Sequence, residues 1–212
     1  MNSVSSSPMV RGTCSLSLTL FVGAVAACAG GVDEAAVVDD DTRARVVAAA
    51  SPAASHLAGT LSGELMAAVR EGGPAHAIGF CANEALELTG RVAAEMGEGW
   101  QVKRTARRTR NPANAPDELE ADALDRFHAA EAEGAGLEEL VQRTPEGDYR
   151  YYRPLRIAPL CVECHGGRDA MQPAVLEALD ARYPADQATG YTEGELRGLI
   201  RITVPAAAIE EG

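Results

Sequence analysis

A five-residue motif late in the chain, Cys161-Val162-Glu163-Cys164-His165, constrains the fold more than any other feature. Two thiols one helical turn apart can form thioethers with two vinyl groups on one side of a porphyrin, and the next residue then lies under the iron. The C-x-x-C-H pattern is the attachment signature of c-type haem. It predicts one covalent haem c bound through Cys161 and Cys164, with His165 as an axial iron ligand.

Two other chemistries use paired cysteines, a redox dithiol and a zinc site. A thioredoxin-like dithiol expects a βαβ context, which the sequence does not suggest, and it needs no histidine after the second cysteine. Zinc expects four ligands, and no second C-x-x-C supplies the missing ones. Aromatic residues are only 4% of the chain, so a large cofactor would also provide apolar bulk that the core lacks. The motif therefore favours haem.

The N-terminal segment predicts export. An apolar stretch from Leu16 to Ala26 has the length of a signal-peptide core and is too short to span a membrane, which takes about 20 apolar residues. Val25-Ala26-Ala27-Cys28 resembles a bacterial lipobox, in which the cysteine is lipidated after cleavage, whereas Ala24-Val25-Ala26 offers ordinary signal peptidase a competing site. We expect a signal peptide over residues 1–27, lipidation at Cys28, and a membrane-anchored lipoprotein facing the periplasm or the cell exterior.

Length and charge limit the organisation and the partners. A chain of 212 residues predicts one folded domain, which we place at residues 51–212 behind a tether at residues 28–50. A net charge of −12 argues against nucleic-acid binding, because phosphate neutralisation needs a basic surface. The expected partners are the membrane, through the lipid, and a redox or signalling protein that the sequence does not identify.

The first part of the chain carries helical patterns. The stretch Asp39-Asp40-Asp41-Thr42 offers a helix N-cap within the tether, and Ser51-Pro52 is typical of the start of a helix that Gly72-Gly73 ends. A second pattern runs from Pro74 to Met96, with Cys81 on its apolar face. These patterns predict a pair of amphipathic helices.

Strand patterns follow. Residues 100–105 and 199–204 predict single strands, and residues 137–143 with 148–157 predict a hairpin, in which Pro154 marks an edge or an end. Between them, Asp117 caps an acidic helix that follows a proline-rich loop. Prolines throughout the middle of the chain disfavour a four-helix bundle. The fold class is α+β, with an antiparallel sheet.

Three segments resemble one bacterial family. They are residues 110–117, residues 152–155 running into the motif and Gly166, and residues 188–198 around Gly190-Tyr191, Gly194 and Arg197-Gly198. The chain resembles the family of single-haem c-type domains with a PAS-like fold, which also occur as the sensor part of some histidine kinases. The resemblance covers about residues 51–205. It implies a PAS-like antiparallel sheet with flanking helices.

The resemblance also implies a six-coordinate haem in which a cysteine thiolate opposes the motif histidine. Cys81 is the position that can carry this ligand over, because Cys28 belongs to the processing signal. Helix spacing alone makes Cys81 a small buried hydrophobe by default. The rival ligands are His56, His76, His128 and Met171.

An arginine cluster precedes the proline-rich loop. Arg107 and Arg110 are candidate contacts for haem propionates, because the guanidinium fork matches a carboxylate. The alternative is a solvated basic loop that balances the acidic helix after Asp117.

Two functions fit these features. The first is redox or diatomic-gas sensing through a His/Cys-ligated haem, since loss of the cysteine on reduction could open the iron. The second is electron transfer by a closed six-coordinate iron. We expect no enzymatic activity, because no acid–base group for an open distal site can be named.

Overall fold

The computed structural model describes residues 38–210, and within that range the protein is α+β. The helices and strands are α1 (Asp40–Asn83), α2 (Ala85–Met96), β1 (Gln101–Thr105), α3 (Glu118–Ala132), β2 (Leu140–Arg143), β3 (Tyr149–Arg156), α4 (Val162–His165), α5 (Pro173–Arg182), β4 (Leu196–Val204) and α6 (Ala206–Glu210). Short 3-10 turns lie at Pro112–Asn114, Pro159–Cys161 and Arg168–Ala170. The predicted fold class, α+β with an antiparallel sheet and flanking helices, is confirmed.

The four strands form one antiparallel sheet in the order β1-β4-β3-β2. The predicted hairpin is β2 and β3, which pair from Arg143 opposite Tyr149 to Leu140 opposite Tyr152. Pro154 lies in β3 beyond the end of this pairing, where only β4 remains as a neighbour. The proline therefore stands where β3 has become an edge, as its missing N–H requires.

Alternation along the strands builds two cores. Tyr151, Ile200 and Ile202 face α1, and Tyr152 and Leu199 face α3. All five side chains are almost completely buried, and each contributes about 1.5–3 kcal/mol of apolar burial. The sheet is thus covered by helices on both faces.

The predicted domain boundary at residue 51 is wrong. Helix α1 begins at Asp40, after Asp39, whose side chain accepts a hydrogen bond from the Thr42 backbone N–H at 2.9 Å. Val46 and Ala50 are 0% exposed and pack into the core that lies against the sheet. The later part of the proposed tether therefore belongs to the fold, since its small apolar side chains let the helix approach the strands closely. Pro52 stands inside α1 and does not begin it.

The break predicted at Gly72-Gly73 is present as a kink within α1. Gly73 has φ +79°, a left-handed conformation that favours glycine. Residues 74–83 continue beyond it as a short helical segment, which we call the arm. The second predicted helix divides at Glu84, where α2 follows. The arm carries Cys81.

The predictions for the N-terminal segment lie outside the described residues. These are the signal peptide over residues 1–27 and lipidation at Cys28. Within residues 38–210, no helix combines the length and the apolarity needed to cross a membrane.

Candidate functional site

The motif folds as a tight helical turn. The 3-10 turn Pro159–Cys161 leads directly into the one-turn helix α4, which ends when the Gly166 N–H donates to the Val162 carbonyl at 2.8 Å. A Cβ atom at Gly166 would lie 2.6 Å from that carbonyl oxygen. The glycine therefore allows the chain to turn sharply after His165.

A narrow apolar cavity of about 80 Å³, which we call the slot, joins the motif to the arm. Cys161, Cys164 and His165 line it from the motif, and Cys81 lines it from the arm. The remaining walls are mostly aliphatic, among them Leu65, Val69, Ile78 and Leu160. The fold thus brings Cys81 to the motif across about 80 positions of sequence.

The thiols of the slot do not support the other two cysteine chemistries. All three cysteines are free, and no group of three or more metal-ligating side chains among residues 38–210 converges closely enough to hold a single ion. Burial raises the pKa of the Cys164 thiol to about 11. Burial likewise raises the pKa of Cys81, against the opposing influence of Arg104 and Arg110. The attacking thiol of a reactive dithiol usually has a lowered pKa, so the raised pKa values of Cys164 and Cys81 do not favour a reactive dithiol.

His165 is held as a neutral imidazole. Its Nδ1 lies 2.7 Å from the Ala188 carbonyl oxygen, and a carbonyl only accepts, so the proton is on Nδ1. Burial lowers the pKa of His165 well below its usual range, and nearby arginines, Arg110 first, lower it further. Nε2 consequently keeps a lone pair for a metal, the arrangement that second-shell hydrogen bonds give to metal-binding histidines.

A loop at residues 186–191 clamps the motif. The Tyr191 N–H donates to the His165 carbonyl at 2.9 Å, and the Gly190 N–H donates to the Gly166 carbonyl at 2.6 Å. Gly190 has φ +77°, which lets the loop turn toward the motif. The Tyr191 ring also supports Arg108, whose guanidinium carbon lies 3.5 Å from the ring centroid.

Arg110 lies in the site, but its guanidinium already has partners. Its Nη2 donates to the Cys164 carbonyl at 2.5 Å, and its Nε donates to the Asp186 carboxylate at 3.0 Å. The side chains of this ion pair are only 10% and 3% exposed. Arg110 therefore ties the motif to the clamp loop, a role that the sequence interpretation missed.

Arg107 lies outside the slot. Its Nη2 donates to the Asp125 carboxylate at 2.5 Å and to the Ala121 carbonyl at 3.0 Å, both on α3. Of the two arginines proposed as propionate contacts, the fold brings only Arg110 to the motif. The alternative, a basic loop that balances the acidic helix, describes Arg107.

The rival ligands do not line the slot. His56, His76 and His128 are exposed, the last two within 4 Å of glutamates. Met171 is buried in an apolar cluster with Ile78 and Leu179, against which Cys164 also packs, but Met171 does not line the slot. Among the candidates, Cys81 is the one that shares a cavity with His165.

The fold and the motif place the chain in a known family. The model of the Tll0287-like domain matches residues 33–205, so the chain belongs to the Tll0287-like family. Among solved structures, the crystal structure of the cyanobacterial heme-protein Tll0287 matches with a TM-score of 0.55 and 26% identity, over 80% of this chain and 98% of that one. No curated protein matches. The match from residue 33 agrees with a domain that includes the start of α1.

Proposed function

We propose that this domain is an exported c-type haem protein that senses redox state or a diatomic gas. One haem is attached to Cys161 and Cys164, and His165 and Cys81 are its axial ligands. The observation that carries the proposal is the shared slot, in which Cys81 and the C-x-x-C-H motif line one apolar cavity. The cyanobacterial relative is a heme-protein, and this supports the choice of cofactor.

The residues of the site fit a haem in three respects. The slot walls are mostly aliphatic, which suits the apolar porphyrin ring, although Arg110 and Glu163 also line the slot. His165 is neutral and its hydrogen bond to the Ala188 carbonyl leaves Nε2 available. Near the slot, the Nε of Arg104 is buried without a hydrogen-bond partner, and a haem brings two carboxylates that can accept from arginine.

The arm is the part of the site that can change its position relative to the motif. A porphyrin needs more volume than the slot provides, so attachment requires the arm and the motif turn to separate. The kink at Gly73 makes the arm a short segment distinct from the long first part of α1, and the arm holds Cys81. When bound, the haem supplies a one-electron redox centre whose potential a thiolate ligand lowers, and whose iron opens if that ligand leaves.

This arrangement supports sensing more directly than catalysis. In this proposal Cys81 would occupy the coordination position of the iron that a catalytic haem would keep open. Export, lipid anchoring at Cys28 and a redox or signalling partner remain predictions from the sequence. The electron-transfer alternative uses the same two ligands and differs only in whether Cys81 stays bound after reduction.

Spectroscopy of the Cys81→Ala variant tests the ligand assignment. We expect covalent haem to remain, while the ferric spin state and electron paramagnetic resonance spectrum change and the potential rises, because an anionic donor is lost. The Met171→Leu variant is the control and keeps the wild-type spectrum. An unchanged ferric spectrum in Cys81→Ala would show that Cys81 is only a core residue.

Carbon monoxide separates the two functions. A sensor whose Cys81 leaves on reduction binds carbon monoxide in the reduced wild-type protein, and its Soret band shifts. A reduced protein that does not bind carbon monoxide until Cys81 is removed would instead be a closed electron carrier.

A further inference from the structure

Arg104 is a half-buried arginine whose Nε is buried without a hydrogen-bond partner. Its Cα partner is Ile200 in β4, and directly opposed residues in an antiparallel pair share a face. Ile200 packs in the core beneath α1, so Arg104 points to the same side. A buried guanidinium with an unpaired donor is costly, and such a site is expected to hold an anion.

A second cavity, which we call the chamber, lies beside the slot. Its volume is about 140 Å³, and His165 is common to the walls of both cavities. Unlike the slot, the chamber presents polar side chains: Arg104, Arg197, Thr109 and Asn114. Arg104 and Arg197 therefore line a small polar space that adjoins the motif histidine. Of the two, Arg197 already donates through Nη1 to the Arg108 carbonyl at 3.1 Å.

The other arginines near the motif already have partners. Arg110 is paired with the nearly buried Asp186. Arg108 donates to the Thr189 carbonyl at 3.0 Å and lies over the Tyr191 ring. Arg104 differs from both, because its Nε is buried and has no partner. Burial lowers the pKa of Arg104, while Cys81 and Tyr183 act in the opposite direction, which places both groups near its charge.

We propose that the chamber is the carboxylate-binding subsite of the domain, where Arg104, assisted by Arg197, binds a haem propionate. The inference rests on the proposed function. Guanidinium and carboxylate match as a two-point hydrogen-bonded pair, and the apolar slot with an adjoining cationic chamber corresponds to the apolar ring and the carboxylates of a haem. Arg104 thereby takes the role that the sequence had suggested for Arg107 and Arg110.

The test compares the full-length holoprotein with its Arg104→Gln and Arg104→Lys variants, and Arg107→Gln is the matched control outside the chamber. Haem staining of denaturing gels reports attachment, which we expect in all four proteins. The infrared carboxylate bands that change on haem reduction report the propionates. We expect Arg104→Gln to shift these bands and lower the potential, because removing a nearby positive charge favours ferric iron. Arg104→Lys should give a smaller shift, and Arg107→Gln none.

The Cys81→Ala variant distinguishes two anions that Arg104 could bind, the haem propionate and the Cys81 thiolate. In Cys81→Ala, the band shift and the change in potential caused by Arg104→Gln should persist. Their disappearance there, or unchanged carboxylate bands in Arg104→Gln, overturns the proposal. If Arg104→Gln does not fold, Arg104→Lys and Arg197→Gln carry the same comparison. Wild-type protein without haem stain would instead overturn the proposed function itself.

Discussion

The pair of Arg110 and Asp186 gives the sharpest test of how the fold holds the motif. The two residues are 76 positions apart and join the segment after β1 to the clamp loop. Arg110→Met keeps most of the side-chain volume and removes the charge. It leaves the Asp186 carboxylate buried without its cation and removes the donor to the Cys164 carbonyl.

The expected loss is large, because the pair is nearly buried. Removing one partner of a buried ion pair costs about 3–5 kcal/mol, a sizeable part of the 5–15 kcal/mol that stabilises a typical domain. Asp186→Asn in the Arg110→Met background should recover about 1–2 kcal/mol. The uncompensated charge is then gone, while the amide oxygen can still accept from the Ala188 N–H, which the carboxylate holds at 2.8 Å.

Urea unfolding of the holoprotein, followed by far-ultraviolet circular dichroism, measures both effects. Arg107→Met is the control, because its ion pair with Asp125 is exposed and should change stability by no more than about 1 kcal/mol. A free energy of unfolding for Arg110→Met within about 1 kcal/mol of wild type, or further destabilisation of that variant by Asp186→Asn, would show that the buried ion pair does not stabilise the fold.

Three further outcomes are expected. Gly198→Ala should destabilise the protein by about 1–3 kcal/mol in thermal unfolding, because its Cβ would lie 2.3 Å from the Thr105 carbonyl oxygen. Gly63→Ala is the control: its Cβ would meet nothing within 4 Å, so this variant should be neutral or slightly stabilising. Glu120→Leu should cost about 3–5 kcal/mol in urea unfolding, since it leaves a buried arginine and a lysine without their carboxylate; a near-neutral result would show that this network adds no stability. Cys28→Ser should move the protein from the membrane to the soluble fraction, and a variant that stays in the membrane would indicate another anchor.

Local patterns predicted much of the fold. The β2–β3 hairpin follows from alternation around a proline-and-glycine turn, and α3 follows from Asp117, whose side chain accepts from the Glu120 N–H in a capping box. These features depend on contacts between residues close in sequence. For the same reason, a helix N-cap was predicted within residues 39–42, and the structure has it at Asp39.

The start of the domain could not be predicted from local sequence patterns. The alanine and valine residues before Ser51 form no distinctive apolar stripe, and their place in the core depends on the sheet against which they pack. Ser51-Pro52 also has the local pattern of a helix start, although Pro52 lies inside α1. Tertiary packing therefore overrode a strong local signal.

The site was predicted in part. The motif and Cys81 were identified from sequence, and the fold brings them to one cavity. The contacts of Arg110 and the position of Arg104 at the chamber were not, because both depend on partners or cavities built by distant segments. Several arginines lie close together in the sequence, and no local pattern indicates which of them becomes buried and which forms an ion pair with a carboxylate.

Covalent haem at the motif is the central claim, and a stained denaturing gel tests it most directly. The full-length protein and its Cys161→Ser/Cys164→Ser variant are produced in a host that attaches c-type haem. Both are denatured and stained for haem peroxidase activity, with immunodetection as the control for protein amount. We expect stain at the position of the wild-type band and none for the double variant. Stain retained by the double variant, or absent from the wild type, would contradict it.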